Sequence, residues 1–399
     1  MGFNAAVQAL EAHQVDGVIA GMSITDERKQ TFDFSDSYYD SGVVMGVRDD
    51  QTMVKEYADL KGKKVAVKTG TEGYTFAQSI ASKYGFTIVP FDESSQMYDD
   101  VKTGNSIACF DDFPVLSYGQ KMKSGVKVVT KMEKGGSYGF AVSKGQNKEL
   151  LEKFNTGLAN IKANGEYKRI IDNYTATQGQ APQSRLEIIK DALPSLFKGL
   201  GNTLIYTIAS LFFAFILGLI FGFMKVSQNK WLRGIATVFV DLFRGIPLIV
   251  LAFFIYFGIP QAFGFTMPLF LAAILTLSLN AGAYVTEIIR GGIQSIDRGQ
   301  MEAARSLGLP YRKAMIKIII PQAIRIMIPS FINQLVITLK DTSILSAIGL
   351  VELTQSGKIV IARTFTSFDI WLVVAIIYLV VITILTKISG RLERKVHHG

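Results

Sequence analysis

Two patterns of apolar residues divide this chain. Up to about residue 175, short apolar runs alternate with charged and polar stretches. The periodicity predicts a helix over 4–12 and a buried strand over Val15–Ala20, ending at Gly21. Further strands are predicted at Gly42–Val47, Lys64–Lys68, Thr87–Val89, Ser106–Phe110 and Val126–Val129. Helical patterns separate many of them, near Glu72–Tyr84, Ser95–Thr103, Phe113–Lys121 and Asn147–Asn173. Thr25 is a good N-cap, and Asp26 and Glu27 suit a first helical turn. Strands alternating with helices argue for parallel sheets with helices on both faces.

Beyond residue 200 the pattern changes to long charge-free runs. Thr203–Met224 holds 22 residues without a charge, enough for one membrane span. Gly245–Thr286 holds 42, too many for one helix, and Gly258, Pro260, Gly264 and Pro268 divide it into two spans. Ile326–Leu339 is interrupted by Lys340–Asp341 and resumes over Thr342–Val351, and a last span runs Ile370–Thr386. Five spans are expected. A polar, uncharged linker, Thr175–Ser184, separates the two patterns, giving expected domains of 1–178, 179–198 and 199–399.

Charge refines this picture. A net charge of +9 is compatible with nucleic-acid binding, but the Lys and Arg residues cluster in loops beside the apolar spans. With the loop at 295–321 inside, fourteen Lys and Arg fall on that side, against Lys358 and Arg363 opposite. Five spans then put residues 1–180 outside the cell. The single Cys109 permits no internal disulfide, and the three histidines form no metal-ligand spacing. No Gly-x-x-x-x-Gly-Lys-Ser/Thr occurs: Gly70-Thr-Glu-Gly73 lacks the lysine and Ser356-Gly-Lys-Ile lacks the hydroxyl. ATP hydrolysis is not expected on this chain.

The stretch Glu302-Ala-Ala-Arg-Ser-Leu-Gly308, with Leu309-Pro310 and Ile318-Ile-Ile-Pro321 after it, lies between spans. Glu-Ala-Ala, three residues, Gly, nine residues, Ile-x-aliphatic-Pro resembles the signature loop of ABC-importer permeases. The resemblance implies a cytoplasmic coupling loop, 295–321, that docks on a separate ATP-binding subunit carrying the ATP and Mg. Glu302, Ala303, Ala304 and Gly308 would make that contact: the alanines allow close approach, Gly308 a tight turn, and Pro321 a restart toward the membrane.

The first half resembles periplasmic-type binding proteins for polar amino acids, the glutamine-binding group above all. Four runs carry this: Gly21-Met-Ser-Ile-Thr-Asp-Glu-Arg28, Phe34-Ser-Asp-Ser-Tyr-Tyr39, Val65-Ala-Val-Lys-Thr-Gly-Thr71 and Phe110-Asp-Asp-Phe-Pro114. Such proteins have two α/β lobes that close on a ligand by a hinge, the second here expected over about 45–135. An enclosed amino acid needs a partner for each of its charges. Arg28 offers a bidentate fork to the α-carboxylate, with Gly21 and Ser23 beside it. Asp112 matches the family's acceptor for the ammonium, with Asp111 as competitor. Lys68 and Thr71 would face the ligand from the second lobe, and Phe3 would supply an aromatic packing surface. Glu72 stands where the group often has Gly, and Asp111 where it can have His. Both add negative charge and leave glutamine, glutamate and a basic amino acid open. By the same likeness the first lobe is expected to be incomplete at its N-terminus, as in a fragment of a longer product with an export signal or in a lobe completed by another chain.

Together these features imply a two-lobed α/β binding domain followed by an all-α, five-helix type I ABC importer transmembrane domain. The chain would be the substrate-binding and permease subunit of a polar-amino-acid importer, multi-pass in the cell membrane and homodimeric through its lipid-embedded half. Nucleic acid, metal and cofactor have no place on it. A ligand-gated channel or receptor built on an amino-acid-binding domain is the alternative. Among intramembrane charges, Lys340 and Asp341 would line the translocation path or form a structural pair at a helix break. Glu287, three residues from Arg290, would pair with it structurally or reach the substrate.

Overall fold

In the computed structural model, which describes residues 2–133, 136–175 and 184–397, the chain forms two units. One comprises Met1–Leu193, Pro260–Thr266 and Gly357–Trp371, and the other Pro194–Ile259, Met267–Ser356 and Leu372–Gly399. The expected linker, Thr175–Ser184, falls on 176–183, outside the described residues.

Among the described residues the first unit has nine strands: β1 (Phe32–Phe34), β2 (Tyr39–Asp40), β3 (Val43–Arg48), β4 (Lys64–Lys68), β5 (Thr87–Phe91), β6 (Ala108–Asp112), β7 (Val126–Val128), β8 (Ser137–Tyr138) and β9 (Ala141–Ser143). Five form one sheet in the order β5-β4-β6-β3-β7. Strict alternation gives this sheet two apolar faces. Val43, Met45, Val47, Val65, Val67 and Phe110 pack on one side with the helix Glu72–Tyr84. Val44, Ala66 and Cys109 face the other, under Met97, Tyr98, Val101 and Leu116 from the helices Ser94–Lys102 and Phe113–Lys121.

The sheet is mixed, where a parallel one was expected. Helical crossovers return the chain between β4, β5 and β6, and β4 is parallel to both neighbours. β3 arrives from the other lobe without a crossover helix and runs antiparallel to β6 and β7.

The other lobe is built from the flanking residues, with β1 on β9, β2 on β8, and the helix Phe3–Glu11 packed through Leu10 onto Val18, Met22, Phe32 and Ala141. The strand expected over Val15–Ala20 reduces to a single bridge, Val18 to Ala141. Their two backbone hydrogen bonds measure 2.8 and 3.0 Å. β9 has only three residues and β1 on its other edge, so it offers no longer partner. The helix expected over Asn147–Asn173 is broken at Asn164–Gly165 into Lys148–Ala163 and Glu166–Thr175. The Asn164 side chain accepts the N–H of Glu166 at 2.9 Å and starts the second piece.

Beyond the linker, four helices among the described residues are long and apolar enough to cross a membrane: Arg185–Lys225, Leu269–Gln294, Tyr311–Ile348 and Ser367–Ile388. A fifth span arises only if Lys230–Gly245 and Leu248–Phe263, bent by 101° at Ile246–Pro247, are counted together. The run Gly245–Thr286 therefore supplies one full span and one half of a bent pair. Proline removes a donor at the bend and fixes the local backbone, which stops the first helix. At Lys340–Asp341 the α-helix tightens into a 3-10 turn over Thr342–Ile348.

Candidate functional site

The ends of β4 and β6 set the geometry of a cavity in the first unit. The two strands are parallel neighbours, so Lys68 and Asp112 leave the sheet at the same end. After Lys68 the chain turns through Gly70 into Thr71, which caps the helix Glu72–Tyr84. The Thr71 hydroxyl donates to the Lys68 carbonyl at 2.7 Å and accepts from the Tyr74 N–H at 3.4 Å. On the facing lobe, Gly21 has φ +65°, a left-handed conformation that glycine adopts without strain, and its N–H donates to the Tyr38 hydroxyl at 3.0 Å. Thr25 Oγ1 accepts from the Arg28 N–H at 3.2 Å and closes the turn that leads into the helix, whose N-cap is Glu27 and not Thr25 as expected. The helix itself is short, Arg28–Thr31, and Asp26 and Glu27 occupy the turn before it.

All seven residues expected to contact a ligand line one cavity of about 320 Å³: Phe3, Gly21, Ser23, Arg28, Lys68, Thr71 and Asp112. Ala20, Glu72, Pro114, Val115 and Tyr138 complete the lining. Arg28 reaches across the cleft. Its Nη1 donates to the Ser23 carbonyl and its Nη2 to the Gly70 carbonyl, both at 2.9 Å. Glu72 Oε1 lies 4.0 Å from Nη1, and the guanidinium sits 5.5 Å from the Phe3 ring centroid. Burial lowers the Arg28 pKa, while Glu72 and then Asp112 pull it back up.

The adjacent carboxylates part company at the end of β6. Asp111 is buried, accepting from the Tyr98 hydroxyl at 2.7 Å and from the Asp112 N–H at 2.9 Å. Asp112 lines the cavity and accepts from the Tyr138 hydroxyl at 2.6 Å, which in turn accepts from Ser41 Oγ at 3.0 Å. Burial, with the charge of Asp111 behind it, pushes the Asp112 carboxyl up to about 6 against the Tyr138 hydrogen bond and Lys68. The Lys68 ammonium donates to Ser94 Oγ at 2.9 Å. Two cations and two acids thus wall one small space, which suits a zwitterion.

Tyr138 escaped the sequence reading. It lies 26 residues after Asp112 and on the other lobe, and no local pattern marks it. Glu72, a departure from the family pattern expected to add negative charge near the second-lobe wall, lies on the cavity wall, whereas Asp111, expected beside it, does not.

In the permease unit, a second cavity of about 700 Å³ is lined by Glu287, Asn333 and Gln334 among mostly apolar residues from Leu269–Gln294 and Ile320–Asp341. Glu287 is already neutralised: Lys225 Nζ lies 2.6 Å away and Arg290 Nη2 2.7 Å away. Arg290 was expected, and Lys225, on another helix, was not. Lys340 and Asp341 are outside this cavity's lining, at the C-terminal end of their helix.

The signature loop forms the helix Arg298–Ser306, capped by the Asp297 side chain on the Gly299 N–H at 2.7 Å. Gly308 turns with φ +82°. Glu302 and Ala303 are exposed, whereas Ala304 is buried within this chain. Pro321 stands in the first turn of the helix Ile320–Asp341. It lies in a continuous helical run, just after a π turn at Met315–Ile319 whose widened backbone suits a residue without an N–H.

Comparison with known proteins follows the same division. Residues 1–177 match the bacterial extracellular solute-binding proteins, family 3. Residues 214–398 match the binding-protein-dependent transport system inner membrane component family. Over 205 residues, 51% of this chain and 94% of the relative, the sequence is 38% identical to the glutamine transport system permease protein GlnP of Escherichia coli (strain K12). It is also 38% identical over 203 residues, 51% of this chain and 93% of the relative, to the arginine transport system permease protein ArtQ of Bacillus subtilis (strain 168). A crystal structure of an amino acid ABC transporter with histidines is similar at 37% identity and a TM-score of 0.51, covering 53% of this chain and 99% of that one.

Proposed function

Because this chain belongs to the amino-acid ABC transporter permeases, with a family 3 solute-binding domain fused ahead of the permease, we propose that it captures glutamine outside the cell and passes it through its own membrane helices. The observation that carries this is the single cavity bringing Arg28 and Asp112 together from opposite lobes. Arg28 would hold the α-carboxylate in a bidentate fork and Asp112 the α-ammonium, with Gly21, Ser23 and Thr71 supplying polar contacts and Phe3 a stacking face. Relatives named for glutamine and for arginine support a polar amino acid.

The permease half acts as a homodimer in the lipid bilayer, and an ATP-binding subunit on another chain supplies the energy. Helix Arg298–Ser306 docks on that subunit through Glu302 and Ala303, with Gly308 setting the turn behind it. The surplus of Lys and Arg beside this helix supports a cytoplasmic placement.

The test is labelled-glutamine uptake into proteoliposomes, with and without an amino-acid-importer ATP-binding subunit. Uptake is expected only with that subunit and ATP, and Gly308→Val should abolish it while leaving glutamine binding intact. Uptake that runs down a gradient without ATP would replace this reading with a channel.

A further inference from the structure

Among the charged residues on the first cavity's wall, Glu72 has no task in the reading above. It opens the helix Glu72–Tyr84, where a negative side chain is favoured by the helix dipole. Its carboxylate faces Arg28 at 4.0 Å from the other lobe. Lys68 stands four residues earlier, across the Thr71 turn, and lines the same cavity.

Consider which ligand this wall accepts. Arg28 and Asp112 match the two charges common to every amino acid. Lys68 and Glu72 then remain for the side chain, one able only to donate and the other only to accept hydrogen bonds. A side-chain amide serves both, giving its carbonyl oxygen to Lys68 and its NH₂ to Glu72. A side-chain carboxylate serves Lys68 but meets Glu72 with like charge, and a guanidinium or ammonium does the reverse. We infer that Glu72 is a specificity-determining residue, selecting an amide side chain and rejecting an acidic one. The inference rests on the amino-acid reading of this cavity.

The experiment is calorimetric binding of glutamine, glutamate and arginine to the purified full-length protein at pH 7.5, comparing wild type with Glu72→Gln, Glu72→Ala and Glu72→Asp. Both neutral variants should bind glutamate about tenfold more tightly and arginine several-fold more weakly, and glutamine should weaken several-fold in Glu72→Ala, which removes the acceptor for its NH₂, but less in Glu72→Gln, which keeps an acceptor oxygen. Glu72→Asp should keep the wild-type order. Opposite shifts for ligands of opposite charge are a signature that a merely structural role does not produce. Unchanged ratios, or a common loss for all three ligands, in the folded neutral variants would overturn the inference alone. Failure of the wild type to bind any of the three would sink both the inference and the reading beneath it.

Discussion

Two cavities of this molecule treat charge in opposite ways. In the permease unit, Glu287 is met by Lys225 and Arg290, and the ion group is closed on itself. In the binding unit, Asp112 has a hydroxyl and no direct cation, and Arg28 spends its fork on two backbone carbonyls with Glu72 at the edge of ion-pair range. The first arrangement sets its acid against two cations of the protein itself. The second leaves charges poorly matched, so a zwitterion supplies what the protein does not. Pairing quality therefore separates a structural acid from one poised for a ligand, although both line a cavity.

The largest effect expected is on the closed group. Glu287→Gln strands Lys225, whose side chain is only 14% exposed, and should cost about 3–5 kcal/mol. Thermal unfolding in detergent should shift clearly downward and recover in part when Lys225→Met is added. An unshifted single variant would show that the pair contributes nothing and would erase the contrast.

Asp112→Asn should do the opposite. Glutamine affinity should fall by ~2–5 kcal/mol, because the ligand's ammonium loses its anion. Melting should stay level or rise, since burial disfavours the ionised carboxylate it replaces. A large drop in both would make Asp112 a structural acid like Glu287.

Proton linkage sharpens the point. Burial pushes Asp112 up to about 6, so its ionised form costs stability at neutral pH and that cost fades as pH falls. A bound ammonium favours the ionised form, and binding must then expel the proton. Affinity should be flat above pH 6 and weaken by up to about tenfold per unit below it. A flat profile down to pH 4.5 would remove Asp112 from the ammonium contact. The smallest effect belongs to Tyr138→Phe, which deletes the hydroxyl on Asp112 and should weaken binding by about tenfold or less. The onset of pH dependence should move upward with it, because that hydrogen bond holds the Asp112 pKa down.

Much of the binding half was legible because its site lies at element ends, where local chemistry is specific. Lys68 closes a strand, Thr71 caps a helix, and Asp112 sits at a strand-to-helix junction before Pro114. Glu72–Tyr84 and Phe113–Lys121 match their predicted bounds for the same reason. What the sequence hid depends on distant pairing. Val15–Ala20 has strand-like residues but a partner only three residues long, and the direction of β3 depends on which lobe it comes from. In the permease, apolarity marks spans but not faces. Lys225 gave no sign of meeting Glu287, and Ala304 reads like Ala303 until packing turns one inward. Chemistry that repeats every few residues is visible along the chain; chemistry between helices is not.

The split between Asp111 and Asp112 carries a genetic consequence. Their opposite roles come from nothing but the two-residue repeat of β6, held in register by Val43 opposite Asp112 and Met45 opposite Phe110. A one-codon change within 108–110 turns every later residue of the strand to the opposite face: a deletion brings Phe113 to the place of Asp112, and an insertion brings Phe110 to the buried place of Asp111 beside Tyr98. The same one-codon change in the exposed stretch at 103–105 leaves β6 in phase. Frame-preserving indels should therefore be tolerated a few residues upstream of β6 and lethal to binding within it, a boundary that a library of single-codon insertions and deletions can map.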